Sequence, residues 1–225
     1  MKNIFYILIL LIVSNLGFSQ SKYSSPNYFN NLMENTDYVL IGGSIGAAQY
    51  NGVYGGFGNF ENIKPNYTIY VQKKVSKRIS FRYQLSHVGL GAKDKRSNSE
   101  TYNQNAFDAN IIEFIPMVIY DLGARNRKRN QRINYYLMGG VGVFYGSTTN
   151  HLKNTSSNKA GGVIYGGAGI RYSLTNKWII NLEAQGRITS SDQLDMMSNP
   201  RFPTDMYGTI NIGIAYRIFG KRKLH

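Results

Sequence analysis

The sequence predicts an all-β fold: an eight-stranded antiparallel transmembrane outer-membrane β-barrel with short periplasmic turns and long extracellular loops. Three observations carry that expectation. Apolar and polar residues alternate with period two in eight successive segments after residue 37. The connections between the segments alternate between short and long. The one long apolar run is a leader at the start of the chain, too short to cross a bilayer.

Taken in order, Lys2 precedes an apolar run from Ile4 to Val13, and the small residues Gly17 and Ser19 follow at a −3/−1 spacing. This is the pattern of a secretory signal peptide over residues 1–19, cut before Gln20. Ten apolar residues fall well short of the roughly 20 that a spanning helix needs. Residues 20–37 are polar and aromatic and are expected to start in the periplasm. With no cysteine, a disulfide scaffold, a thiolate metal site, a cysteine nucleophile and a lipoprotein anchor are excluded. A negative mean hydropathy argues against a helical membrane protein. It does not argue against a barrel, whose lumen-facing residues dilute the apolar signal.

The barrel is expected over residues 38–219, followed by a basic tail, 220–225. The alternation is clearest in the last strand, where Ile210, Ile212, Ile214, Tyr216 and Ile218 interleave with Thr209, Asn211, Gly213, Ala215 and Arg217. In the seventh, Trp178, Ile180, Leu182, Ala184 and Ile188 oppose Asn181, Glu183, Gln185 and Arg187. In the third, Ile79, Phe81, Tyr83 and Leu85 oppose Ser80, Arg82, Gln84 and Ser86. The other strands are expected at 39–50, 67–75, 111–122, 135–145 and 163–172, where glycine interrupts the pattern. Pro116 lacks a ladder donor, so it is expected at a bulge.

Short links at 76–78, 123–133 and 173–177 alternate with long ones at 51–66, 91–106, 146–162 and 189–206. A soluble sandwich has no reason to segregate its loops in this way. With odd strands rising from the short-turn end, Tyr120, Tyr135, Tyr172, Trp178 and Tyr216 fall at that end and point outward, a girdle at one membrane interface. Tyr67 and Tyr145 would contribute to the opposite one.

Inward positions include Arg82, Glu113, Arg171, Glu183, Arg187 and Arg217. Side chains can fill an eight-stranded interior. Two carboxylates among four arginines are therefore expected to form a salt-bridged plug rather than a pore or a general acid/base pair. Gly42-Gly43-Ser44-Ile45-Gly46 fits the G-x-S-x-G pattern, but it lies inside a strand with no helix following. The runs Gly139–Gly142 and Gly166–Gly169 lack phosphate-loop spacing and are expected to let bulky lumen neighbours fit. His87, His151 and His225 have no metal-ligand spacing. No metal, cofactor or catalytic residue is expected. A remote enzymatic alternative is lipid A acyl chemistry at the outer rim, using His87 with Ser86 or Ser97.

The formal charge of +14 is concentrated. Lys73, Lys74, Lys77 and Arg78 flank the first short turn, and Arg125, Arg127, Lys128, Arg129 and Arg132 crowd the second. Lys177 marks the third, and Lys221, Arg222 and Lys223 close the chain. Half of the basic residues thus sit at one end, opposed only by Asp121. A field of one sign steers association, so this periplasmic rim is expected to contact lipid phosphates or dock an acidic partner. Nucleic acid is not expected as a partner in that compartment.

Several segments resemble a Bacteroidota family of small outer-membrane barrels, the PorG-like proteins of the type IX secretion system. They are residues 110–114, Tyr136 through Phe144, Gly166 through Trp178, and the loop from Thr189 to Asp195. The resemblance implies a non-enzymatic component of a secretion and gliding complex. It would sit in the outer membrane of a Gram-negative bacterium, among outer-membrane lipids, against periplasmic lipoprotein-ring proteins similar to PorK and PorN. The alternative is a free-standing barrel of the OmpA or OmpW kind, for envelope stability or narrow solute passage.

Overall fold

A computed structural model describes residues 38–51, 62–93, 105–122, 132–151, 155–190 and 205–219. The signal-peptide and N-terminal-segment expectations lie outside these residues. Eight strands form in chain order: β1 (Tyr38–Asn51), β2 (Lys64–Lys74), β3 (Ile79–Lys93), β4 (Asn105–Asp121), β5 (Ile133–Asn150), β6 (Thr155–Ser173), β7 (Trp178–Thr189) and β8 (Met206–Phe219). Each pairs antiparallel with its neighbours, and β1 pairs with β8, closing the barrel. Closure leaves no edge whose backbone groups would go unpaired in hydrocarbon.

The register fixes the shape. Following partners from Asp121 through Tyr136, Gly169, Glu183, Asn211, Gly46, Asn66 and Val88 returns to β4 at Ile111, ten residues from the start. A stagger of that size tilts the strands by about 35–45° and leaves an interior that side chains can fill. Outward positions carry exposed apolar residues on every strand, among them Ile45, Ile69, Val141, Ile164 and Ile210, each more than 60% exposed. A surface so apolar is stable only against lipid.

The fold departs from the sequence reading at Pro116, in the long links and in the polarity of the interior. Pro116 needs no bulge: it faces Tyr83 on β3, and the β4–β5 pairs on either side of it, Phe114 with Val143 and Met117 with Gly140, keep one register. The accommodation is made by β5. A Cβ on Gly142 would lie 2.3 Å from the Phe114 carbonyl oxygen, and one on Gly140 would lie 2.4 Å from that of Pro116. Only glycine lets the backbones approach so closely. The one irregularity on the β3–β4 ladder falls at Ala92/Lys93 instead.

The expected loop 146–162 is largely strand. β5 and β6 stay paired from Gly146–Lys159 to Asn150–Thr155, and only residues 151–154 join them. Alternation fades there because both faces are polar: Thr148 and Asn150 on the inner face of β5 are buried yet hydrophilic, and β6 from Thr155 to Ala160 is exposed or half-exposed throughout. The interior is also less polar than expected. On the inner face of β4, Ile111, Ile115, Met117 and Ile119 are buried, and Met138 and Phe144 of β5 join them. β4 is therefore apolar on both faces, and its near-continuous apolar run reflects this.

Candidate functional site: the barrel interior and its basic end

Alternation turns Arg82, Glu113, Arg171, Glu183, Arg187 and Arg217 inward, all buried. Tilt and stagger then decide who meets whom. Arg82 on β3 donates to Glu183 on β7 at 2.7 Å. Arg187 on β7 donates to Glu113 on β4 at 3.0 Å. Each carboxylate is also held by a tyrosine hydroxyl, Tyr136 donating to Glu183 at 2.5 Å and Tyr207 to Glu113. Each carboxylate is thus shared between a guanidinium and a tyrosine hydroxyl.

Gln185 ties the two pairs together. Its Nε2 donates to Glu183 at 2.7 Å, and its Oε1 accepts from Arg187 at 3.0 Å. Toward the short-turn end, Gln72 Oε1 accepts from both Arg82 (3.1 Å) and Arg171 (3.3 Å). Arg171 in turn lies 3.5 Å from Asp121. A polar string thus runs from Asp121 to Glu113 along the lumen. The sequence reading left Asp121 on the rim and counted neither Gln72 nor Gln185 in the ion-pair network, although each has inward parity on its strand.

Tyrosine is the second omission. Arg82 lies over Tyr70 at 4.0 Å, Arg171 over Tyr136 at 4.6 Å, and Arg217 over Tyr38 at 4.7 Å. Arg187 lies between Tyr165 and Tyr207, at 5.2 and 5.5 Å. Ring faces attract the guanidinium planes and replace part of their lost hydration. Glycine makes room for two of the rings. A Cβ on Gly42 would sit 2.5 Å from Tyr70 Cζ, and one on Gly169 would sit 2.4 Å from Tyr136 Cζ. The signal was legible as tyrosine on the polar side of the alternation.

At the short-turn end one rim assignment is corrected. Lys74 is 7% exposed and donates inward to Asp121 at 2.7 Å, and Asn134 donates to the other oxygen of that carboxylate at 2.7 Å. Lys74 follows Gln72 in parity, so it lines the lumen while Lys73 points outward. Asp121 is fully buried and so opposes nothing on the surface. Among the described residues the buried side chains include five cations and four anions, so the described interior is nearly balanced in charge.

The rim that remains is presented by tight turns. Ser76 Oγ accepts from the amides of Arg78 and Ile79, and Thr175 Oγ1 accepts from those of Lys177 and Trp178. These hydroxyls fold the turns locally and leave Lys77 and Lys177 exposed. Arg132 is exposed, and Arg78 donates to the Tyr120 hydroxyl at 2.9 Å. Arg125, Arg127, Lys128, Arg129, Lys221, Arg222 and Lys223 lie outside the described residues.

Tyr120, Tyr135, Tyr172 and Trp178 are exposed on the outer wall, and Tyr216 packs edge-on against Trp178 at 4.9 Å. Tyr67 and Tyr145 are more than half exposed toward the other end. His87 also faces outward, whereas Ser86 points into the lumen and shares a hydrogen bond of 3.1 Å with Thr68. Adjacent strand residues on opposite sides of a wall cannot form a dyad, and Ser97 lies outside the described residues. Ser44 is likewise buried inside β1 rather than raised on a turn. His151 follows the last residue of β5, with Nε2 3.0 Å from Asp108.

Residues 28–217 match the family model described as Domain of unknown function (DUF6089). No curated protein matches the chain. Among solved structures, Neisserial surface protein A is 11% identical with a TM-score of 0.51, covering 83% of this chain and 98% of its own. The N-terminal β-barrel domain of Pseudomonas aeruginosa OprF is 10% identical with a TM-score of 0.47, covering 81% and 98%. OprG from Pseudomonas aeruginosa is 10% identical with a TM-score of 0.47, covering 83% and 98%. At these identities the likeness is one of fold. The likeness to Neisserial surface protein A, with the apolar outer wall and the closed sheet, gives the chain the fold of an outer-membrane barrel.

Proposed function

We propose that this chain, which belongs to the DUF6089 family, is a plugged, non-conducting barrel that serves the envelope through its surfaces rather than its lumen. The observation that supports this is the string from Asp121 to Glu113, in which Arg82–Glu183 and Arg187–Glu113 cross the lumen one above the other. Opening a path means separating buried ion pairs, at about 3–5 kcal/mol for each pair broken. In this reading the barrel catalyses nothing and needs no cofactor. Planar-bilayer recording tests it: the purified barrel is expected to give no steady conductance, and stable open channels of the wild type would reject the plugged reading.

A second reading is favoured by the fate of Asp121. Because that acid is turned inward, the described surface of the short-turn end carries cations from Lys73, Lys77, Arg132 and Lys177. Such a rim suits an acidic periplasmic partner. The resemblance to PorG-like proteins makes a lipoprotein ring similar to PorK and PorN the candidate, and a type IX-like secretion and gliding complex the setting. A mild-detergent pull-down separates the two readings. Ring proteins recovered by the wild type, and lost when Arg125, Arg127, Lys128, Arg129 and Arg132 become Ser, support docking. A wild type that comes out alone leaves the free-standing barrel.

A further inference from the structure

The outer wall carries a furrow of about 770 Å³ along β1, between β2 and β8. Its floor is Gly43, which points outward and has Ile69 on one side and Ile214 on the other in the pairing register. The next row, Tyr67, Ile45 and Ile212, continues the furrow away from the short-turn end, and Ile180 borders it on β7. The furrow exists because one strand lacks a side chain where its neighbours carry isoleucine. Nothing inside the barrel requires that glycine: a Cβ there would meet the Thr68 carbonyl oxygen at 3.4 Å and Ile69 Cγ2 at 4.0 Å, both ordinary contacts.

Its surroundings identify the occupant. The furrow lies between the outward aromatic pair Trp178–Tyr216 at the short-turn end and Tyr67 toward the other, within the apolar belt, so its contents are hydrocarbon. Lys73 lies on the same outward face of β2, four residues from Ile69 and so about 13 Å along the strand. It sits at the periplasmic end, beside the turn that carries Lys77. An ammonium at headgroup depth below an apolar furrow is complementary to a lipid with a negatively charged headgroup. We propose that the furrow at Gly43 binds one acyl chain of an anionic glycerophospholipid of the periplasmic leaflet, whose headgroup phosphate is held by Lys73.

Native mass spectrometry tests this on the full-length barrel released from phosphatidylethanolamine vesicles with phosphatidylglycerol as the minor component. The wild type is expected to retain one phosphatidylglycerol. Lys73→Gln should lower that retention about five-fold, the effect of one basic residue at an anionic surface. Gly43→Leu should fill the furrow and lower it at least as far. Gly166→Leu adds the same bulk to another outward-facing strand position with nothing within 4 Å of its Cβ, and should leave retention unchanged. Heat-modifiable mobility confirms that each variant is folded. Wild-type retention by folded Gly43→Leu overturns the site. Equal retention of phosphatidylethanolamine overturns the anionic headgroup, and a second barrel copy lost in Gly43→Leu in place of lipid overturns the lipid occupant.

Discussion

Arg82 and Glu183, 101 residues apart in the chain, meet across the lumen at 2.7 Å with both side chains about 1% exposed. Removing one partner strands the other's charge. Glu183→Gln leaves the Arg82 guanidinium uncompensated and is expected to cost about 3–5 kcal/mol. The urea midpoint for loss of the compact, heat-modifiable form in detergent reads this directly. Replacing both residues, Arg82→Met with Glu183→Leu, should recover most of the loss, because well-packed apolar side chains substitute for a buried pair nearly without cost. Additive losses in the double variant would mean the two residues do not act as a unit.

Glycines of this barrel fall into two classes with opposite expected responses. Gly169→Ala places a methyl group inside the Tyr136 ring, which also donates to Glu183. It is expected to destabilise by about 1–3 kcal/mol through overpacking. Gly139, Gly166 and Gly186 pair side by side on the outer wall, and an added Cβ there would meet nothing closer than 3.9 Å. Valine at Gly166 is expected to be neutral or to stabilise by up to about 1 kcal/mol, since glycine weakens a strand interior. Equal losses at Gly169 and Gly166 would contradict this division.

Strand number, facing and the girdle were legible because period two survives wherever one face meets lipid and the other the lumen. Lys73 and Lys74 were legible too, since parity with Gln72 sends Lys74 inward, but grouping by charge overrode parity. Partner choice was not legible. Arg82 finds Glu183, and Arg187 finds Glu113, only through the ten-residue stagger, a property of the closed sheet that no local pattern encodes. The extension of β5 and β6 was hidden for a different reason: both faces carry polar residues, Thr148 and Asn150 buried inside and Ser156 and Asn158 exposed, so the segment read as loop while pairing as strand.

The tilt of Gln185 between two ion pairs gives a test of network continuity. Gln185→Leu removes a donor to Glu183 and an acceptor for both Arg187 and Thr209. The loss should exceed that of an ordinary hydrogen bond, about 1 kcal/mol, because buried charged groups lose their partner. In a double-mutant cycle with Glu113→Gln, coupling of about 0.5–3 kcal/mol is expected through Arg187. Strict additivity would show that the upper and lower pairs are independent plugs.

The height of the bilayer on the wall is set by two positions on paired strands. Val141 lies on the outward face of β5 between Tyr135 and Tyr145, 63% exposed, in the middle of the apolar belt. Ala160 pairs with Tyr145 near the upper aromatic level. Val141→Arg buries a guanidinium in hydrocarbon and is expected to cost about 2–4 kcal/mol, against about 0–1 kcal/mol for Ala160→Arg at the interface. Reversible folding into vesicles of short-chain lipid measures both. The contrast separates lipid from any other apolar covering, because depth alone distinguishes the two sites. If the arginines cost the same, the belt between Tyr135 and Tyr145 does not mark the hydrocarbon core.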